Sequence, residues 1–136
     1  MTDKSHMSNL PKAGAVVFAK DIRKVARFYE QLIPLSVTHT ESGHIVLESD
    51  AMQLVIHGLP KKIADSIHVA TPPVVREETP IKLFFPVASL VDARIRAEQL
   101  GGQLGPGKKE WEARGFRACD GYDPEGNVFQ LRQTAL

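Results

Sequence analysis

The sequence has one cysteine, Cys119, in 136 residues, so no intrachain disulfide can form. That fits a reducing compartment, and a cytoplasmic location is the expectation. No apolar run reaches the roughly 20 residues that a membrane helix needs. An excess of charge of one sign is also missing. Seventeen Lys and Arg stand against 16 Asp and Glu, for a net charge of +1. The basic residues are scattered, so neither nucleic acid nor an anionic membrane is expected as a partner. Several catalytic signatures are absent: the nucleophile elbow, the phosphate loop, the dinucleotide fingerprint, the CxxC pair and the HExxH helix. Cys119 lies in an apolar-leaning strand pattern, where a free thiol packs as a small hydrophobe. Residues 1–10 are polar, lack the apolar stretch of a signal peptide, and include Ser5-His6-Met7, which has the look of a cloning junction. They read as a disordered or tag-like N-terminus, and His6 is set aside with them.

What the sequence does have is a repeat. Ala15-Val16-Val17-Phe18-Ala19 is an apolar run, followed by Asp21 as an N-cap and by Val25, Phe28, Tyr29 and Leu32 at helical spacing. Pro34 ends that helix. Further on, Leu83-Phe84-Phe85-Pro86-Val87 precedes Ser89 and Asp92 at capping-box spacing. Leu90, Ala93, Ala97 and Leu100 then share a helix face, and Gly101-Gly102 stops it. With Asp21 placed on Ser89, an offset of 68 residues, Glu30-Gln31-Leu32 falls on Glu98-Gln99-Leu100. Each helix is followed by short strands and tight turns. In the first half these are Leu35–Thr40, Gly43–Glu48 and Met52–His57. In the second they are a glycine-rich stretch around Gly105-Pro106-Gly107, then Gly115–Cys119 and Asn127–Gln133. Asp123-Pro124-Glu125-Gly126 suits a type I turn. Each half therefore reads β-α-β-β-β, over residues 11–58 and 81–136. A proline-rich linker, residues 59–80, is expected to be extended and irregular, wrapping the surface or bridging to a partner.

Tandem βαβββ units resemble the glyoxalase/bleomycin-resistance/dioxygenase superfamily, also called vicinal oxygen chelate. Phe18-Ala19-Lys20-Asp21-Ile22 with Phe28-Tyr29, Phe85-Pro86-Val87 with Gly101-Gly102, and Asp123–Leu131 carry the likeness. The resemblance implies an α+β fold whose tandem modules curl a mixed sheet into an open, barrel-like cup, one glyoxalase-like domain over 11–136. It also implies a small organic ligand between the modules and a homodimer. Metal-dependent members carry ligands on the first and last strand of each module. Here those positions are Gly14, Val55, Lys82 and Gln130. Glycine and valine offer no ligand and an ammonium repels a cation, so no metal or other cofactor is expected. A displaced divalent-metal site would use Gln53 or His57 with Gln130, since Gln53 and His57 share a strand face with Val55.

The expectation is therefore a metal-free binding protein. The alternative is a lyase, isomerase or dioxygenase with a displaced metal, or with Lys82 and His57 as acid and base. Lys82 either anchors an anionic group of the ligand or lets its head snorkel to solvent. Gln130 either bonds ligand or Lys82, or is satisfied by backbone. His57 is an acid or base near neutral pH, or a partly exposed strand-end residue. Phe18 and Phe84 either wall the cup or belong to the core. Trp111, in a polar loop, covers the cavity, meets a partner subunit, or does neither. His39 and His44 flank a turn and are read as surface residues, His68 as a linker residue and Tyr122 as structural.

Overall fold

The computed structural model describes residues 10–135, so the segment expected at 1–10 lies outside the described residues except for Leu10. The first module runs β1 (Gly14–Ala19), α1 (Ile22–Leu32), β2 (Ser36–Glu41), β3 (His44–Glu48) and β4 (Gln53–Gly58). Its sheet order is β1-β4-β3-β2, with β1 parallel to β4 and the other pairs antiparallel. The linker includes a short helix, α2 (Lys61–Ser66), where an irregular segment was expected. Lys61–Ser66 is free of proline and glycine, and the Pro60 carbonyl accepts the first helical bonds, from Ile63 and Ala64.

The second module runs β5 (Leu83–Pro86), α3 (Leu90–Gln99), β6 (Gln103–Leu104), β7 (Trp111–Ala113), β8 (Phe116–Tyr122) and β9 (Val128–Thr134). Its order is β5-β9-β8-β6, and β7 pairs with β8 farther along the same edge. Thus β6 and β7 share the place that β2 holds alone in the first module. The expected fold, α+β with tandem βαβββ units and unclosed mixed sheets, is the one observed. No helix among the described residues is long and apolar enough to cross a membrane.

Local chemistry explains the elements. The Asp21 carboxylate accepts from the Lys24 amide at 3.1 Å, and the Ser89 hydroxyl accepts from the Asp92 amide at 3.1 Å. Helix α3 ends with Gly101 at φ +92°, a left-handed residue that costs glycine nothing. The Gly102 amide then donates back to Ala97 and that of Gly101 to Glu98, satisfying two terminal carbonyls.

The helices set the core. Val25, Ala26, Phe28, Tyr29 and Leu32 of α1 are buried, as are Leu90, Ala93 and Ala97 of α3. Alternation in the strands adds Leu54, Ile56, Ile45 and Leu47 from one sheet and Phe85, Phe129 and Leu131 from the other. Each large apolar side chain buried this way contributes about 1.5–3 kcal/mol. Tyr29 packs on Phe85 and Phe129, and Phe28 on Phe129, so the modules join through the helix-covered faces of their sheets.

A polar clamp locks that junction. The Tyr29 hydroxyl donates to Asp123 at 2.8 Å, and Asp123 also accepts from the amides of Glu125 and Asn127. The Glu125 carboxylate accepts from the amides of Lys20 and Asp21, both at 2.8 Å. Burial pushes the Asp123 carboxyl above its ordinary range despite the bonds that oppose the shift. It pushes the Tyr29 phenol well above its own. The opposite sheet faces are not covered by the other module, and Phe18 and Phe84 there remain 54% and 55% exposed.

Candidate functional site

The open face of the second sheet forms one wall of a cavity of about 820 Å³. Gln103, Trp111, Asp120, Tyr122 and Val128 come from the sheet, and Lys82 immediately precedes β5. Gly105, Pro106 and Lys109 come from the segment that splits β6 from β7, and Val75, Glu77 and Thr79 from the linker. The linker is held there by the Asp123–Asn127 turn: the Arg76 amide donates to the Gly126 carbonyl at 2.9 Å. The cavity is thus built by the second module and the linker, and no residue of the first module lines it.

A chain of polar contacts crosses this wall. Lys82 Nζ lies 2.8 Å from Asp120 Oδ2, and Gln130 Nε2 donates to Asp120 Oδ1 at 3.1 Å. Gln130 Oε1 in turn accepts from Arg132 Nε at 2.7 Å. The Arg132 guanidinium stacks 3.6 Å from the Phe84 ring centroid and 4.2 Å from that of Phe116. Strand register produces the chain, because Asp120 is paired with Gln130 and Gln130 with Phe84, so all three side chains share one face. Lys82 and Asp120 stay 43% and 46% exposed, which leaves both able to meet a ligand. Gln130 is buried and satisfied within the chain.

Trp111 is placed by a second network. Arg94 of α3 donates to the Gly105 carbonyl at 2.5 Å and pairs with Glu110, which also takes a 2.6 Å bond from Arg117. Arg117 reaches Glu112 as well, at 2.6 Å. The Arg117 and Arg94 guanidinium bonds hold the Glu110 carboxyl below its ordinary range. Trp111 sits between Glu110 and Glu112, edge-on to Phe116 at 5.7 Å, and lines the cavity.

The sequence-derived residues therefore divide. Lys82 and Trp111 line the cavity; Gln130 and Phe84 stand beside them on the same face. Phe18, Gln53 and His57 lie on the open face of the first sheet. There Phe18 meets His57 edge-on at 5.7 Å, Gln53 donates to Glu48 at 2.6 Å, and His57 Nδ1 faces the Gly58 carbonyl at 2.7 Å. Sequence reasoning missed Asp120 and the linker residues Glu77 and Thr79, and it took Tyr122 as structural. The Tyr122 hydroxyl donates to Gln103 at 2.7 Å, on the cavity wall. Alternation through Ala118, Asp120 and Tyr122 was the available signal for that face.

The strand positions that the resemblance assigns to metal ligands, Gly14, Val55, Lys82 and Gln130, do not offer a divalent cation a ligand set here. A Cβ on Gly14 would lie 2.0 Å from the Gln53 carbonyl oxygen, so the strand start has no room for a side chain. Val55 is apolar. Lys82 puts an ammonium beside Asp120, and the amide oxygen of Gln130 is engaged by Arg132.

Comparison with known proteins agrees with the fold. Residues 14–132 match the family described as the glyoxalase-like domain. No curated protein sequence matches the chain. A glyoxalase/bleomycin resistance protein/dioxygenase family enzyme from Burkholderia phytofirmans PsJN superposes with a TM-score of 0.66 at 16% identity, over 90% of this chain and 97% of the other. The fosfomycin resistance protein FosX of Listeria monocytogenes superposes with a TM-score of 0.60 at 18% identity, over 93% of each chain. A FosX variant complexed with Mn(II) and a dihydroxypropylphosphonic acid gives a TM-score of 0.63 at 16% identity, over 93% of this chain and 91% of that one. With most of its length matched, the chain belongs to the glyoxalase-like domain family.

Proposed function

We propose that this protein binds a small organic molecule in the cavity above the second sheet, without a divalent metal at the family's ligand positions. The observation that carries this reading is the Lys82–Asp120–Gln130–Arg132 chain: it engages Lys82 and Gln130, two positions the resemblance assigns to metal ligands, and its Lys82 and Asp120 line the cavity. The ammonium of Lys82 supplies a fixed positive charge there. Trp111, Tyr122 and Val128 give a ligand an apolar surface to stack on. A ligand with a flat apolar body and an anionic or hydrogen-bonding head matches this lining. We further propose a homodimer. Val16, Phe18 and Phe84 are more than half exposed on the two open faces, and a second copy facing them removes that apolar area from water.

A second reading, catalysis, rests on the same pair. Lys82 and Asp120 are in contact and both reach solvent, which is the arrangement of an acid and a base able to exchange protons with a bound substrate. The test is a ligand screen by thermal shift on metal-stripped protein, with metal content measured before and after loading with Zn, Ni, Mn, Fe and Co. Binding that survives stripping and weakens in Lys82→Ala supports the proposal. Ligand binding that needs a metal held by Gln130 would overturn it. Turnover of a bound ligand that stops in Lys82→Ala favours catalysis.

A further inference from the structure

The open face of the first sheet carries a second constellation, remote in the fold from the cavity wall. Strands β2 and β3 are joined by the two-residue turn Ser42-Gly43, and Glu41 is paired with His44 across it. His39 lies two residues before Glu41 on the same strand, so it projects from the same face. His39 Nε2 is 2.9 Å from Glu41 Oε1, and His44 Nδ1 is 3.9 Å from Glu41 Oε2. All three ligating atoms lie within 4.8 Å of one another. A tetrahedral ion with bonds of about 2.1 Å spaces its ligand atoms about 3.4 Å apart, and the two measured separations bracket that value.

The next strand adds a third imidazole. His57 is paired with His44 in register, and their rings stack at 6° with centroids 5.9 Å apart. With Nδ1 of His57 donating to the Gly58 carbonyl at 2.7 Å, Nε2 is left as the lone-pair nitrogen. That is the tautomer fixing by backbone carbonyl found behind metal-bound histidines. The paired strands hold these side chains in place before any ion arrives.

We infer that His39, Glu41 and His44 form a binding site for one borderline divalent cation such as Zn²⁺ at the tip of the β2–β3 hairpin, flanked by His57. The site uses none of the strand positions where related proteins hold a metal, and it does not depend on the cavity reading. Two imidazoles and a carboxylate favour Cu²⁺, Ni²⁺ and Zn²⁺ over Mg²⁺ and Ca²⁺.

The test is calorimetric titration of the full chain with Zn²⁺, in a His6→Ala background that removes the histidine outside the described residues. One Zn²⁺ per chain is expected. His39→Ala and His44→Ala should each weaken it at least tenfold, the double variant should abolish it, and His57→Ala should weaken it less. Gln130→Ala should leave it unchanged. Binding should weaken as pH falls, because protons compete with the ion for the ligand atoms. Circular dichroism of the variants checks that the fold is kept; these side chains are not core residues. No saturable binding by the parent protein, retention in the double variant, or loss in Gln130→Ala would each overturn the inference.

Discussion

In the first module the strand after the helix, β2, runs from Ser36 to Glu41, with one register shift between Val37 and His39. In the second module the same place is shared by β6 and β7, separated by Gly105, Pro106 and a single 3₁₀ turn at Gly107–Lys109. That difference shapes the 820 Å³ cavity of the second sheet, because Gly105, Pro106, Lys109 and Trp111 all line it. The linker sharpens the asymmetry by crossing the second module, where Arg76 bridges Asn127. Two copies of one strand–helix plan thus diverge through an interrupted edge strand, while the central strands of each sheet keep their pairing. The divergence places an ion pair and a tryptophan on one open face and histidines with apolar side chains on the other.

The turns before β4 and β9 differ in the same way, and this gives the largest expected effect. Asp123 is fully buried and joins Tyr29 to its own turn. Asp123→Ala strands the Tyr29 hydroxyl and two turn amides, and should cost about 3 kcal/mol or more of unfolding free energy in a denaturant titration. In the first module, Glu48 near the corresponding turn pairs with the partly exposed Lys12 at 3.3 Å. Glu48→Ala should cost far less than Asp123→Ala. Equal losses would mean that the clamp does not distinguish the modules.

The first strands offer the next contrast. Gly14→Ala puts a methyl group against the Gln53 carbonyl, so the start of β1 must shift, at a cost of about 1–3 kcal/mol by thermal or denaturant melting. Lys82, its counterpart at the repeat offset, points into an open cavity, and Lys82→Ala should change stability by less than about 1 kcal/mol. A neutral Gly14→Ala would reopen that position to a side-chain ligand.

Much of this was legible in the chain. The repeat, both N-caps, the Gly101-Gly102 stop and the Asp-Pro-Glu-Gly turn rest on interactions within a few residues, and the structure repeats them. What could not be read was register between distant strands. Asp120 meets Gln130 and Lys82 only because β8, β9 and β5 align, and Tyr29 meets Asp123 across 94 residues of chain. A two-residue strand such as β6 has no periodicity to detect. His39 and His44 were read singly, as turn-flanking surface residues; the turn between them brings both to one carboxylate.

For ligand binding, the comparison predicts that substitutions act by module. Lys82→Ala should weaken a ligand found by screening about tenfold, equivalent to about 1.4 kcal/mol, as measured by titration calorimetry. Trp111→Ala should weaken it by a similar factor through lost stacking. Phe18→Ala and His57→Ala, on the first sheet, should leave the affinity of the monomer unchanged. A loss of affinity in Phe18→Ala that appears only at dimer-forming concentrations would show that the partner's first module closes the site.

The smallest effect is a dependence on alkaline pH that belongs to the junction between the modules. Buried Tyr29 titrates above the ordinary tyrosine range, chiefly because burial disfavours the phenolate, with Asp123 raising it further. Below the unfolded pKa of about 10 both states hold the proton, and stability does not depend on this group. Above it the unfolded chain releases a proton that the folded chain keeps. Stability must then fall as pH rises, by up to about 1.4 kcal/mol per pH unit, until the folded phenol itself ionises. Tyr29→Phe should lower stability at neutral pH by about 1–2 kcal/mol and remove this slope. The other tyrosine, Tyr122, is only partly buried, so Tyr122→Phe should leave the slope in place. A slope that persists in Tyr29→Phe would assign the alkaline transition to another group and detach it from the module junction.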